Sequence, residues 1–321
     1  MSSDNSFLKH SGVKYPIICG PMYPCSNPEL VAAVSAAGGL GVIQPISLTY
    51  VHGYSFKAGL SYIQSLTDKP MGMNLLIESS SRKYRYKMEC WLNTALDKGV
   101  KFFITSMGKP DWVVRLAHQA GAIVYHDVTE SKWASIALDV GVDGLIAVNN
   151  KAGGHAGTLT SEQLISELQQ FNLPVVCAGG IADEKSYQNA LNQGYQAVQM
   201  GTRFIASKEC NASIDYKQAI IQAQEKDIVL SERITGVPVS VINSEFVKSK
   251  GLRSNKLERF MLNNPNLKRF MRTFLALRSL YSLKRSLKGE LGANDYWQAG
   301  KSVETIDSIL SVQSIINSFT K

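Results

Sequence analysis

Short apolar runs alternate with helical patterns along the first two thirds of this chain, and this alternation limits its fold more than any other feature. Eight runs rich in apolar and β-branched residues predict strands, at residues 16–19, 40–44, 71–76, 101–105, 122–125, 144–148, 174–178 and 197–200. Helical patterns lie between them, at residues 28–37, 84–98, 111–119, 130–140, 161–170 and 184–193. Several of these patterns stop at a glycine, as helices often do, namely at Gly38, Gly99, Gly121, Gly141 and Gly194. This order of elements is typical of parallel βα units.

Eight such units predict a closed (β/α)₈ TIM barrel, although a doubly wound open sheet would show the same alternation. The number of strands favours the barrel. The loop after the first strand also favours it, because Gly20-Pro21-Met22 does not follow the GxGxxG pattern of dinucleotide-binding sheets. That pattern occurs nowhere else in the chain.

The composition indicates a globular protein, since 45% of its 321 residues are hydrophobic and 19% are charged. No apolar run approaches the roughly 20 residues that span a bilayer, and the first residues lack the pattern of a signal peptide. The five cysteines form no CxxC pair, so neither a disulfide framework nor a metal site is expected. We therefore expect a cytoplasmic protein with reduced thiols and no stable membrane insertion.

The net charge of +8 is concentrated in one segment, residues 246–288. This segment has a single acidic residue, Glu258, and twelve basic ones: Lys248, Lys250, Arg253, Lys256, Arg259, Lys268, Arg269, Arg272, Arg278, Lys284, Arg285 and Lys288. Its charge is therefore about +11, which leaves about −3 for the rest of the chain.

Apolar residues recur at helical spacing within this basic segment, at Leu267, Phe270, Met271, Phe274, Leu277 and Tyr281. The simplest interpretation is an amphipathic helix that packs these residues on the barrel and leaves a solvated basic rim. Two functional interpretations stay open: steering of small anionic substrates, and docking of an acidic carrier or a membrane surface. Nucleic acid is not expected as a partner, because no binding module accompanies the charge.

The loop after the sixth predicted strand carries the clearest candidate for proton chemistry. Two glycines, Gly153 and Gly154, precede His155, and glycine lets the backbone approach a flat or phosphorylated ligand closely. A neutral histidine at the end of a barrel strand is well placed to act as a base. The alternative is a plain glycine turn in which the histidine satisfies local hydrogen bonds. His126, at the end of strand 5, is interpreted as a packing residue.

The loops after strands 7 and 8 predict a phosphate site. They contain Gly179 and Gly180, then Gly201 and Thr202, and each precedes a predicted helix start. Backbone N–H groups of such loops can hold a phosphate dianion, with help from the helix dipole and the Thr202 hydroxyl. The pair of loops therefore indicates a phosphorylated cofactor.

The same motifs, in this order along the chain, resemble the nitronate monooxygenase family, formerly called 2-nitropropane dioxygenases. The resemblance rests on Gly20-Pro21-Met22, Asn74, residues 152–157, 178–181 and 199–204, and a C-terminal stretch at 295–301. It covers essentially the whole chain. It implies an FMN-bound barrel over residues 1–215, an added, mainly helical and basic C-terminal subdomain over 216–292, and a segment, 293–321, that returns to the barrel.

The resemblance also implies a role for each motif. Gly179, Gly180, Gly201 and Thr202 would hold the FMN phosphate. The ring and ribityl chain would be lined by Gly20, Pro21, Met22, Asn74, Gly153 and Gly154. His155 would be the catalytic residue, near the flavin N5 edge. The implied reaction is oxidation of a small anionic nitronate, or of a nitroalkane, by dioxygen to a carbonyl compound and nitrite. A homodimer is left open.

Two alternatives remain at this point. One is an FMN-dependent, NAD(P)H-using reductase, either an enoyl-acyl-carrier-protein reductase or a quinone reductase. The other is a non-catalytic flavin-binding or carrier-docking subunit, against which the intact His155 loop argues. Two positions depart from the family pattern: Asp127 stands where some members have a lysine near the flavin, and Lys151 where an acidic residue often precedes Ala-Gly-Gly-His.

Overall fold

The computed structural model describes residues 5–77, 82–234, 236–254, 258, 260–261, 264–288 and 296–320. Eight parallel strands pair in sequence order, and the eighth closes on the first. The strands are β1 Ile17–Cys19, β2 Leu40–Ile43, β3 Met71–Leu76, β4 Phe102–Ser106, β5 Ile123–Val128, β6 Gly144–Val148, β7 Val175–Ala178 and β8 Ala197–Met200. This closed sheet confirms the predicted TIM barrel.

Helices connect the strands and form an outer layer. They are α1 Ser6–Ser11, α2 Pro28–Ala36, α3 Phe56–Leu66, α4 Arg82–Asp97, α5 Asp111–Gln119, α6 Ser131–Leu138, α7 Ser161–Leu168 and α8 Glu184–Asn192. The glycines expected after helices all have positive φ, from 64° at Gly121 to 101° at Gly194. This left-handed conformation ends a helix at little steric cost for glycine. Strand β5 is three residues longer than predicted at its carboxyl end, so His126 and Asp127 lie within it.

The amino end of the barrel is closed by aromatic side chains. Phe7 of α1 is fully buried, with its ring centroid 5.8 Å from Phe102 and 6.1 Å from Tyr125. Gly144 makes room for the Tyr125 ring, because a Cβ at that position would lie 2.3 Å from it. The lower interior of the barrel is therefore a packed apolar core, and polar chemistry is left to the opposite end.

The chain beyond β8 adds α9 Thr202–Ile205, α10 Ile214–Gln222, β9 Ile228–Ser231, β10 Val239–Ile242, α11 Glu245–Lys250, α12 Pro265–Lys288 and α13 Val312–Phe319. The described residues of this region are mainly helical. The antiparallel pair of β9 and β10 was not predicted. Helix α13 returns to the barrel, where Phe319 packs against Tyr187 with ring centroids 5.6 Å apart. Among the described residues, no helix is long and apolar enough to cross a bilayer.

The basic helix α12 uses a different apolar side from the one predicted. Met271 is buried as expected, but Phe274 is 49% exposed and Tyr281 65% exposed. The buried side chains near its carboxyl end are Leu283, which packs with Val239 and Val241, and Leu287. The prediction was wrong for Leu267, Phe274 and Tyr281, and near the carboxyl end the reason is the unpredicted β10 strand, on which Leu283 packs.

Some predicted features lie outside the described residues. These are Asp295 of the C-terminal stretch, the expected boundary at residues 292–293, and Lys256 and Arg259 of the basic segment. The same holds for the side chains of Phe270, Leu277, Lys268, Arg269, Arg272 and Lys288.

Candidate active site

The carboxyl ends of all eight strands open on one face of the barrel, because the strands are parallel. Ile18, Val42 and Tyr125 belong to the apolar cluster inside the barrel. Side chains alternate along a strand, so the residues two positions further on also point inward. These are Gly20, Gln44 and Asp127, and the same alternation from Ala197 brings in Gln199. A polar layer thus lies above the apolar interior, at the carboxyl end.

Several groups of this layer have unused hydrogen-bonding capacity. Within the described part of the chain, Asp127 Oδ1 and Gln199 Oε1 are buried without a hydrogen-bond partner. Gly20 makes room for Gln199, since a Cβ there would lie 2.9 Å from Gln199 Cγ. Asn74 is buried in the same wall, and its Nδ2 donates to the Ile104 carbonyl at 3.2 Å. Buried polar atoms normally find partners, so these indicate a site for a polar ligand.

Burial alone sets the protonation state of Asp127. Because the carboxyl is removed from water, its pKa rises to about 7. Asp127 is therefore protonated in a large fraction of molecules at neutral pH and can donate a hydrogen bond. An aspartate in this position does not have to act as a fixed negative charge.

The loop after β6 is held from two sides by distant segments. The Gly154 carbonyl accepts a hydrogen bond from the Ser240 N–H of β10 at 2.8 Å. On the other side, Gly153 lies against the C-terminal segment, since a Cβ there would be 3.0 Å from the Gly300 nitrogen. Gly154 has φ of 68°, which glycine adopts readily. The loop that carries His155 is thus fixed by residues about 85 and 145 positions further along the chain.

His155 projects from this loop with an exposed side chain. It makes no hydrogen bond to any described residue, which leaves the plain-turn interpretation without its expected local bonds. Burial of part of the ring lowers the pKa of His155 below its usual value, while the rest of the side chain stays open to solvent. The imidazole is therefore neutral near pH 7, with a ring nitrogen free to accept a proton.

The glycines after β7 and β8 lie close to the other loops of the site. Gly179 has φ of 118° and Gly180 of 79°, and a Cβ on Gly179 would lie 2.3 Å from Asn149 Oδ1. A Cβ on Gly201 would lie 3.4 Å from Met22 Sδ. The Gly300 N–H donates to the buried Thr202 Oγ1 at 2.9 Å, which leaves the Thr202 hydroxyl hydrogen available to a ligand.

The helix dipole contributes less to this region than the sequence suggested. The first turn of α8 is capped by Asp183, whose Oδ1 accepts from the Ser186 N–H at 2.7 Å, and α9 has only four residues. A phosphate here would be bound by amides of the glycine loops and by Thr202, because the helix N-terminus is already occupied.

The described structure brings the predicted residues to one face but does not place all of them in mutual contact. Met22 meets Gly201, and Gly153 reaches Thr202 through Gly300, whereas Asn74 and the half-buried Pro21 have no such link to the glycine loops. His126 is buried and its Nδ1 lies 2.8 Å from Thr105 Oγ1, and burial lowers the pKa of His126 to about 4.

Sequence reasoning missed Asn149, which joins two loops of the site. Its Oδ1 accepts from the Lys151 N–H at 2.8 Å, and its Nδ2 donates to the Gly179 carbonyl at 3.0 Å. The available signal was a polar residue directly after a strand. No described group of histidine, cysteine and carboxylate side chains could hold a metal ion.

Comparison with known proteins adds independent information. The family model described as nitronate monooxygenase matches residues 5–321. A probable nitronate monooxygenase from Staphylococcus saprophyticus is 32% identical, with 78% of this chain and 82% of that protein covered. A (3aS,4S,5R,7aS)-5-hydroxy-7a-methyl-1-oxo-octahydro-1H-indene-4-carboxyl-CoA dehydrogenase from Rhodococcus jostii is 28% identical over 74% of this chain, which spans 65% of that enzyme.

Solved structures show the same architecture. FabK from Thermotoga maritima superimposes with a TM-score of 0.81 at 27% identity, over 99% of this chain and 96% of that one. The nitroalkane oxidase from Streptomyces ansochromogenes gives a TM-score of 0.77 at 22% identity, over 98% and 96% of the two chains. At that lower identity the likeness supports the fold alone.

Proposed function

Because this chain belongs to the nitronate monooxygenase family and is an oxidoreductase, we propose that it uses FMN to oxidise alkyl nitronates with dioxygen, giving a carbonyl compound and nitrite. The family match across residues 5–321 is the observation that carries the proposal. The family works with flavin, and the choice of FMN rests on the two glycine loops, which suit a terminal phosphate.

The residues of the site fit such a cofactor. Gly179, Gly180, Gly201 and Thr202 would bind the phosphate through their amides and hydroxyl. Gly20, Pro21, Met22, Asn74, Gly153 and Gly154 would lie along the ring and the ribityl chain. The unpaired atoms of Asp127 and Gln199 supply polar partners in the same layer. When bound, FMN would supply the redox chemistry by passing electrons from the substrate to dioxygen.

His155 would provide the proton chemistry. Its lowered pKa keeps one ring nitrogen unprotonated near pH 7, and that nitrogen can take the carbon-bound proton of a neutral nitroalkane. Once protonated, the ring carries a positive charge that can hold the anionic nitro group. A substrate that is already a nitronate needs no such base, so the two substrate forms depend on His155 to different extents.

A reductase is the second candidate, and the FabK structure is the observation that favours it, at 27% identity and with near-complete coverage. The dehydrogenase relative from Rhodococcus jostii, named for a coenzyme A thioester, points the same way. Cations at the barrel mouth suit an anionic carrier: Lys284 Nζ donates to the Tyr50 carbonyl at 2.7 Å, and Lys87 Nζ lies 2.6 Å from Tyr50 Oη. This enzyme would reduce its flavin with NAD(P)H.

Anaerobic reduction of the bound flavin separates these functions. The purified flavoprotein is mixed with ethylnitronate and, separately, with NADH or NADPH, and the flavin absorbance is followed by stopped flow. Fast bleaching by the nitronate is expected. Fast bleaching by a nicotinamide nucleotide but not by the nitronate would establish the reductase instead, and no bleaching by any of them would favour a non-catalytic flavin-binding subunit.

A further inference from the structure

Lys151 is held in a fixed place beside the glycine loop after β7. Its backbone N–H donates to Asn149 Oδ1 at 2.8 Å, while Asn149 Nδ2 donates to the Gly179 carbonyl at 3.0 Å. Its own carbonyl accepts from the Lys301 N–H at 3.0 Å. Asn149 is buried, so this connection is not broken easily. The backbone of Lys151 is therefore tied to the loop expected to bind phosphate.

The side chain of Lys151 lies directly against Gly180. A Cβ built on Gly180 would lie 3.1 Å from Lys151 Cδ and 3.2 Å from Lys151 Cβ. The methylene chain thus passes over the glycine and carries the ammonium group past it. Any side chain at position 180 would push the lysine away. Glycine at this position therefore leaves space for the lysine chain and also allows the positive φ.

The ammonium group of Lys151 has a partner that is easily exchanged. Its Nζ lies 3.5 Å from Glu225 Oε2, and the Lys151 side chain is 52% exposed. Glu225 Oε1 is also 3.5 Å from Lys301 Nζ, so two lysines share one carboxylate. Long, exposed ion pairs of this kind contribute little to stability. Glu225 keeps Lys301 when Lys151 leaves.

Lys151 lies among both cations and carboxylates. The neighbouring cations are Lys226 and Lys301, and the neighbouring carboxylates are Glu225, Asp227 and Glu304, so the charges of this region balance. The Glu304 Oε2 atom accepts from the Glu225 N–H at 2.6 Å, so this carboxylate lies beside Glu225. A phosphate dianion on the Gly179–Gly180 loop would be a stronger partner for Lys151 than half of a shared carboxylate.

We infer that Lys151 is a further ligand of the cofactor phosphate. When FMN binds, the Lys151 ammonium group would leave Glu225 and bind the phosphate. The inference rests on the proposed use of FMN. It assigns Lys151 a role in selecting the phosphorylated form of the flavin.

Flavin binding by the apoprotein tests this inference without any turnover. The holoprotein is stripped of flavin and titrated with FMN and with riboflavin, which lacks the phosphate, while quenching of flavin fluorescence is recorded. For K151Q we expect FMN to bind about tenfold more weakly and riboflavin to bind as in the wild type. K151R keeps the charge and should retain most of the preference. K226Q, with an exposed lysine in the same region, is the matched control.

The results separate the inference from the function on which it rests. If wild type prefers FMN to riboflavin and K151Q keeps that preference, Lys151 does not bind the phosphate, and the proposed function stands. If K226Q loses the preference as much as K151Q does, the weaker FMN binding comes from the changed charge of the region and not from a specific contact with Lys151. The inference is wrong in that case too. If wild type shows no preference for FMN, the cofactor assignment itself fails together with the inference.

Discussion

At the scale of a single residue, turnover of two kinds of substrate should depend on His155 to different extents. We expect His155→Ala to keep its flavin and to lose about 10²- to 10⁴-fold in turnover of neutral nitroalkanes, because the general base is gone. Oxidation of a preformed nitronate should fall much less. Steady-state nitrite release with nitroethane and with ethylnitronate measures both, and His118→Ala, at a surface histidine 2.9 Å from Asp143, is the control. Equal losses for both substrates would remove the base from the mechanism.

The wild-type pH profile follows from the same residue. The base must be unprotonated, and the pKa of His155 lies below its usual value. We therefore expect kcat/KM for nitroethane to rise with pH through that lowered pKa and to be level above pH 7. This rising limb should be missing in His155→Ala.

Ionisation of Asp127 should make the stability of the folded protein depend on pH. Its pKa is raised from 3.8 to about 7, so the folded protein binds this proton more tightly than the unfolded chain does. The contribution to stability is full at low pH and is lost as the pH rises from about 4 through 7, by about 4 kcal/mol at most. In urea titrations of the apoprotein at pH 5 and pH 8.5, Asp127→Asn should be less destabilised by the higher pH than wild type. An identical pH effect in both proteins would show that the carboxyl ionises normally.

At the scale of elements, helix α12 shows how a long-range contact overrides a local pattern. Leu283 is buried against Val239 and Val241, whereas Phe274 is 49% exposed. Leu283→Ala should therefore lower the free energy of unfolding by about 2–5 kcal/mol, and Phe274→Ala by less than about 1 kcal/mol. Chemical denaturation of the two variants measures this. A larger loss of stability for Phe274→Ala would show that the helix packs through the side that the sequence pattern indicated.

The barrel could be predicted strand by strand because its signals are local. Apolar runs and the glycines that end the helices lie within a few residues of each other, and the strands begin and end within three residues of their expected bounds. Strands β9 and β10 have four residues each and gave no comparable signal. Once they were missed, the packing side of α12 could not be predicted, since it depends on β10.

The candidate site also has some residues that could be predicted from the sequence and others that could not. Glycine and histidine motifs can be read directly from the sequence, which is why the His155 loop and the Gly179–Gly180 loop were found. Asn149 and Gln199 act through contacts between strands, and their direction depends on the register of the barrel. A shift of one residue would turn each of them to the other side of the wall, so the sequence alone could not assign them.

At the scale of the whole molecule, the charge is distributed unevenly: the net charge of +8 comes entirely from residues 246–288, because the rest of the chain is slightly acidic. Helix α12 is anchored at the mouth of the barrel, where Tyr23 Oη donates to the Leu280 carbonyl at 2.6 Å. A positive field at the entrance attracts anions, and salt screens it. We expect kcat/KM for ethylnitronate to fall several-fold between low salt and about 0.5 M NaCl, and that for neutral nitroethane to stay nearly constant. The same salt effect on both substrates would exclude electrostatic steering.

The aromatic side chains that close the amino end of the barrel limit how molecules enter and leave. Phe7, Phe102 and Tyr125 fill the amino end, so ligands of the site approach it from the carboxyl-end face. On that face, Ser240 and Gly300 hold the loop that carries His155. The carboxyl-end face therefore serves for both entry and exit. In the proposed reaction, the carbonyl product and nitrite leave by the route through which the next nitronate arrives, and the accumulated products compete with the substrate for the passage.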